Sequence, residues 1–64
     1  MKWTDSQALA EVLAEQHPQV DPRRLRFTEL RAWVLALPQF DDAPERCGER
    51  QLEALQQAWI DALD

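Results

Sequence analysis

Residues 52–63 read LEALQQAWIDAL, and their apolar side chains recur at the three- and four-residue spacing of one helix face. The side chains on this face are Leu52, Leu55, Trp59 and Leu63. We therefore predict a helix from about Cys47 or Gly48 to Leu63, with this apolar stripe facing inward. A helix of this length is marginal in water, so the stripe has to pack against other parts of the chain.

A first helix is predicted near the start of the chain, from about Asp5 to His17. Thr4 stands at its N-cap position with Gln7 three residues on, which is the arrangement of a capping box. Pro18 restricts the backbone of His17 and so closes the helix. The residues expected to share one face are Leu9, Val12, Leu13 and Gln16.

A second helix is predicted between them, capped by Thr28 and running through Leu37 to its end at Pro38. Its inward positions are Leu30, Trp33, Val34 and Leu37. Before it, Asp21-Pro22 indicates a short turn, because proline is favoured at the first position of a helical turn. Residues 25–27 are expected to be extended.

Size and aromatic content indicate one folded domain over residues 1–64. A chain this short buries only about 60% of the surface of its unfolded form, so its stability depends on a tight apolar core. The aromatic side chains available for that core are Trp3, Phe27, Trp33, Phe40 and Trp59, with Phe40 as the inward anchor of a loop over 38–44. The predicted fold is an all-α, three-helix, winged-helix-like domain with at most one short extended segment near residues 25–27.

The chain has a single cysteine, Cys47, so no intramolecular disulfide is possible. Its first residues carry charges rather than the apolar stretch of a signal peptide. No apolar run reaches the roughly 18–20 residues that a membrane span needs. A cytoplasmic monomer is the expectation.

The net charge of −5 is unevenly distributed along the sequence: it is −2 over residues 1–18, +2 over 19–37 and −5 over 38–64. An acidic C-terminal part repels nucleic acid and anionic membranes, and attracts a basic protein surface or cations. The arginines of the middle segment resemble the arginine cluster of a DNA-binding protein. So acidic a chain nevertheless has little affinity for the phosphates of a nucleic-acid backbone. These arginines are Arg23, Arg24, Arg26 and Arg31.

No catalytic group can be assembled from the sequence pattern. Cys47 is the only thiol and His17 the only imidazole, and they lie in different predicted elements. One residue of each type also cannot build a closed zinc or iron–sulfur site. We predict that the chain is not an enzyme and holds no tightly bound cofactor.

Acidic residues run from the 38–44 loop into the last helix, and three interpretations of them stay open. They are Asp41, Asp42, Glu45, Glu49 and Glu53. They form a solvated face with weak pairs such as Glu49 with Arg46 or Glu53 with Arg50, a docking surface for a basic partner, or a weak site for hard cations. The loop lacks the glycine and alternating ligands of an EF-hand, so no preformed cage is implied.

In their order along the chain, several short motifs resemble the IscX family, also called YfhJ. The motifs are Lys2-Trp3-Thr4-Asp5-Ser6, Asp21-Pro22, Arg26-Phe27-Thr28 with Trp33, Phe40-Asp41-Asp42 with Pro44, and Leu52-Glu53-Ala54 with Trp59. The resemblance covers the whole chain without a gap. It implies a compact helical domain, similar to a winged helix but without DNA binding, that accompanies iron–sulfur cluster assembly.

The resemblance also implies partners and ligands. Members bind a cysteine desulfurase through acidic residues, at a region that overlaps the docking region of bacterial frataxin, and they bind iron ions weakly. Phe40-Asp41-Asp42 matches the acidic loop of the family, and Glu53 matches an acid of its last helix. Asp5 and Asp21 match as well, although both read as helix caps. The loops of some members are more acidic, and three positions here lack those carboxylates: Pro38, Gln39 and Ala43. Their absence weakens the expected iron site more than the expected protein-binding surface.

The resulting hypothesis is a non-enzymatic adaptor that binds a cysteine desulfurase, with ferredoxin as a further expected partner. The residues predicted to bind the partner are Asp41, Asp42, Glu45, Glu49 and Glu53, with Glu11 and Glu15 as weaker additions. The residues predicted to bind iron weakly are Asp41, Asp42 and Glu45. An alternative is a ferrous-iron carrier in which metal binding is the primary role, and a third is an acidic mimic of DNA that inhibits a basic protein.

Overall fold

Three α-helices form where the apolar periodicity predicted them. The protein is described by a computed structural model that covers residues 1–63. Helix α1 is Ser6–Gln16, α2 is Phe27–Ala36 and α3 is Glu49–Leu63, and a 3₁₀ turn at Pro44–Arg46 precedes α3. Residues 1–63 contain no strand, so the all-α prediction is confirmed and this part of the chain has no wing. Within the same range, no helix is long and apolar enough to cross a membrane.

The core lies between the three helices, with the most extensive contact between α1 and α3. Each large apolar side chain buried there stabilises the fold by about 1.5–3 kcal/mol relative to an exposed position. The buried side chains are Trp3, Leu9, Ala10, Leu13, Leu30, Val34, Leu37, Leu52, Leu55 and Trp59. The predicted stripes of all three helices therefore meet in one cluster, which also takes in Ala10.

Some residues predicted to face inward lie at the edge of this core. Leu63 is 50% exposed and Gln16 is also exposed, so the prediction is wrong for both. Asp61 and Ala62 of α3 lie beside Gln7, near the first residue of α1. Leu63 is the last residue of α3, where the helix face that packs on the core comes to its end.

The predicted N-caps of α1 and α2 are wrong. The N-cap of α1 is Asp5 and not Thr4, and no side-chain cap hydrogen bond forms. The reason is a turn over residues 2–5, in which the Lys2 amide donates to the Asp5 carboxylate at 2.9 Å and the Asp5 amide donates to the Lys2 carbonyl at 3.0 Å. Because α1 begins at Ser6, Gln7 stands at the second helical position and not the third, so the capping box of Thr4 with Gln7 does not form.

Helix α2 begins earlier than its predicted cap, Thr28. Its N-cap is Arg26, which has an extended backbone with φ −76° and ψ 147°. The carbonyl of Arg26 accepts a hydrogen bond from the Leu30 amide at 3.0 Å, and Phe27 is half-buried against the core. Of the predicted extended segment, Phe27 is thus already helical. The turn predicted at Asp21 is present, with the Arg23 amide donating to the Asp21 carboxylate at 3.0 Å.

Candidate functional site

The carboxylate of Asp42 faces the N-terminal segment of the chain instead of solvent. It accepts hydrogen bonds from the Trp3 amide at 3.1 Å and from the Ala43 amide at 2.7 Å. The indole Nε1 of Trp3 in turn donates to the Ala43 carbonyl at 2.8 Å, and its ring packs edge-on against Phe40 with centroids 4.7 Å apart. Asp42 therefore fastens the acidic loop to a buried tryptophan.

Asp41 is held by the same segment. Its carboxylate lies 3.1 Å from the amine of Met1 and 3.5 Å from Nζ of Lys2. Its backbone also participates, because the Asp41 amide donates to the Met1 carbonyl at 3.0 Å and Nζ of Lys2 donates to the Asp41 carbonyl at 2.8 Å. The Asp41 side chain nevertheless stays 69% exposed, so part of its charge is still presented to solvent.

These contacts lower the pKa of both carboxyl groups. For Asp41 the largest cause is the hydrogen bond from the Met1 amine, followed by the charge of Lys2. For Asp42 the main causes are the hydrogen bonds from the backbone amides of Trp3 and Ala43. Hydrogen bonds to the ionised form favour that form, so both residues are carboxylates over a wider pH range than free aspartate.

We expect the Asp42 contact to make stability depend on acidic pH. A carboxyl group whose folded pKa is lowered contributes stability above its unfolded pKa of about 3.9, and this contribution is lost as the pH falls through the folded value. Asp42→Asn keeps only one acceptor oxygen for two amide donors. Its melting temperature should be below that of the wild type at pH 7, with the difference narrowing below about pH 4.

Melting curves followed by circular dichroism between pH 7 and pH 2 measure this effect. Glu45→Gln is the control, because Glu45 is exposed and within residues 1–63 makes no ion pair. A constant difference between wild type and Asp42→Asn over the whole pH range would mean that the ionised carboxylate is not what stabilises the loop.

Three of the predicted acidic residues are free of such contacts within residues 1–63, and we call them the docking face after their predicted role: Glu45, Glu49 and Glu53. Glu45 lies in the 3₁₀ turn, Glu49 begins α3, and Glu53 lies one helical turn later. All three are exposed. The predicted pairs with Arg46 and Arg50 do not form within residues 1–63, so these carboxylates are presented to solvent.

Arg31 of α2 is a further residue that shapes this region, and sequence reasoning did not find it. Its Nη2 donates to the Pro44 carbonyl at 3.3 Å, so it ties the 3₁₀ turn to the helical core. The acidic segment is thus held by Trp3 on one side and by Arg31 on the other. Both contacts join residues far apart in the chain, and no local spacing signals them.

A resident metal centre does not fit these residues. Within residues 1–63, no three histidine, cysteine or acidic side chains are grouped so that they could hold a metal ion. Asp42 uses both carboxylate oxygens to accept backbone amides, and Asp41 is paired with two cationic groups. The predicted iron ligands Asp41, Asp42 and Glu45 are therefore not grouped as a ligand set, and weak iron binding stays a prediction.

Cys47 and His17 lie in separate environments. Burial raises the pKa of the half-buried Cys47 thiol, which opposes formation of a reactive thiolate. The His17 ring stacks on Trp33, with centroids 4.0 Å apart and planes 9° from parallel. Cys47 is thus partly buried and His17 packs on an aromatic ring, and within residues 1–63 they lie in different parts of the fold.

Fold and surface together define a small acidic three-helix domain with an exposed carboxylate face. Over residues 1–64 the chain matches the family described as iron–sulphur cluster assembly, and it belongs to this family, which is the IscX family that its motifs resemble. It is 52% identical to an uncharacterized protein of Pseudomonas aeruginosa over 64 residues, which covers 100% of this chain and 97% of that protein.

Proposed function

We propose that this domain is a non-enzymatic adaptor of iron–sulfur cluster assembly that docks on a cysteine desulfurase through its docking face. Membership of the iron–sulphur cluster assembly family supports a role beside that machinery. The observation that carries the proposal is that Glu45, Glu49 and Glu53 are all exposed and lack ion-pair partners within residues 1–63.

Electrostatics favours a basic partner for this face. The chain has a net charge of −5, and the acid is concentrated in residues 38–64. Complementary charge accelerates encounter and orients the two proteins, without the ligand geometry that a metal site needs. Exposed Asp41 adds to the same field, whereas Asp42 acts by holding the loop in shape.

The proposed mechanism is occupancy of a basic surface beside the desulfurase active site, in the cytoplasm. A domain seated there modulates how fast sulfur is delivered, and it needs no catalytic group of its own. Ferredoxin is a further proposed partner. Weak binding of iron ions is compatible with this role, but no group of three ligands within residues 1–63 supports iron carriage as the primary one.

A charge reversal on α3 tests the proposal. Glu49→Lys combined with Glu53→Lys should weaken binding to a cysteine desulfurase at least about tenfold at low salt, since each exposed pair contributes up to about 1 kcal/mol and the reversal adds repulsion. Binding is measured by isothermal titration calorimetry at two salt concentrations, with circular dichroism to show that helix content is unchanged. Asp41 and Asp42 are poor targets because their substitution also loosens the fold.

The matched control is Glu29→Lys combined with Gln16→Lys and Gln19→Lys, all at exposed positions. The control changes the net charge by the same amount as the α3 variant. Each of the two variants also removes one exposed glutamate from the first turn of a helix, which is Glu29 of α2 in the control and Glu49 of α3 in the α3 variant. We expect this control to bind at close to wild-type affinity. An equal loss of binding in the α3 variant and the control would show that only bulk charge matters, and undiminished binding by the α3 variant would rule out the docking face.

A further inference from the structure

A groove lies between α1 and α3, outside the docking face. Its volume is about 470 Å³, and it is open to solvent. Gln7 and Glu11 line it from α1, and Ala58, Asp61 and Ala62 line it from α3. The two helices contribute one carboxylate each, so the fold brings together acids that are 50 positions apart in the sequence.

The chemistry of the groove is amphipathic. Ala58 and Ala62 give it short apolar walls, while the carboxylates of Glu11 and Asp61 are exposed. Within residues 1–63, neither carboxylate lies within 4.0 Å of a lysine or arginine nitrogen. Asp61 is oriented by a hydrogen bond of 3.0 Å from Nε2 of Gln57.

This combination matches the side chain of a lysine or arginine. Such a side chain lays its alkyl stem against apolar surface and keeps its charged end among polar groups. Charge-assisted hydrogen bonds from an ammonium or guanidinium group to carboxylates are the stronger kind. A metal ion is a poor match, because no three ligating side chains are grouped anywhere in residues 1–63.

The groove also continues the line of the docking face along α3. Glu49, Glu53, Gln57 and Asp61 follow one another at four-residue steps, and all four are exposed. At 1.5 Å per residue, Glu53 and Asp61 are about 12 Å apart along the helix axis. An extended peptide covers this distance in about four residues, at up to 3.3–3.6 Å per residue.

We propose that the groove receives a lysine or arginine side chain from an extended basic segment of the partner. A second basic residue of the same segment, about four positions from the first, contacts Glu53. This inference rests on the proposed function, and it extends the contact from the docking face to the junction of α1 and α3. Glu11 of α1, a weaker candidate from sequence alone, thereby becomes a specificity residue together with Asp61.

Neutral variants of the groove test the inference. Glu11→Gln combined with Asp61→Asn should weaken binding to a cysteine desulfurase about five- to tenfold at low salt, with a smaller effect at high salt. Ala62→Leu should weaken binding without any change of charge, because the larger side chain occupies the groove. Glu29→Lys is the charge-matched control, because it raises the net charge by the same amount at an exposed residue outside the groove, and it should bind like the wild type.

A second probe is a short peptide with two arginines four positions apart, titrated into ¹⁵N-labelled protein. The expected result is that amide shifts concentrate at Gln7, Glu11, Glu53 and residues 58–62. Desulfurase binding that is lost in the Glu49→Lys/Glu53→Lys variant but unchanged in the groove variants would overturn the groove inference alone. If the wild type does not bind desulfurase, the proposed function fails, and peptide shifts that avoid the groove would then overturn this inference as well.

Discussion

Trp59→Ala is expected to remove a large part of the stability of the domain. Trp59 is fully buried on α3, with its ring centroid 6.5 Å from that of Trp33. Truncation of a buried tryptophan to alanine costs about 3–5 kcal/mol, because it removes apolar contacts and leaves a cavity. At about 0.05–0.15 kcal/mol per residue, a domain of 64 residues has a total stability of only about 3–10 kcal/mol.

Urea unfolding followed by circular dichroism measures the loss, and Leu63→Ala is the control on the same helix. Leu63 is 50% exposed, so its truncation should cost less than about 1 kcal/mol. A comparable loss in the two variants would mean that the end of α3 is packed more tightly than its exposure indicates. A Trp59→Ala variant with the urea midpoint of the wild type would contradict the assignment of Trp59 to the core.

The helices could be predicted from the sequence because their signal is local. Pro18 and Pro38 each follow the end of a helix, and the apolar stripe between them repeats within a few residues. The helix starts were less predictable. Thr4 and Thr28 have good capping chemistry, but the turn at Asp5 and the core contact of Phe27 decided where the helices begin. Tertiary context overrides a weak local preference in such cases.

In the candidate site, too, the features with a local sequence signal could be predicted and those set by tertiary contacts could not. Glu49 and Glu53 follow a helical spacing, so their shared exposure on α3 was predictable from the sequence. The engagement of Asp42 was not, because its partner Trp3 lies 39 residues earlier in the chain. The groove between Glu11 and Asp61 likewise depends on how α1 packs on α3, which no local pattern encodes.

Trp3→Ala is expected to destabilise the domain by about 3–5 kcal/mol and to release the acidic loop. Trp3 is only 2% exposed, although it stands outside every helix. It joins the N-terminal segment to the loop through three contacts. Its indole donates a hydrogen bond to the Ala43 carbonyl, its ring packs edge-on against Phe40, and its backbone amide donates a hydrogen bond to the Asp42 carboxylate. Its loss therefore removes core packing and a loop anchor together.

Trp3→Phe separates these two contributions. It keeps an aromatic ring beside Phe40 but removes the donor to the Ala43 carbonyl, and loss of one such bond costs about 0.5–1.5 kcal/mol. The variant should stay folded, while hydrogen exchange of the Asp41 amide, which donates to the Met1 carbonyl, becomes faster. Amides within α3 should keep protection close to that of the wild type, apart from the small global loss. If protection instead falls equally in α3 and in the loop, Trp3 acts through global stability and does not specifically anchor the acidic segment.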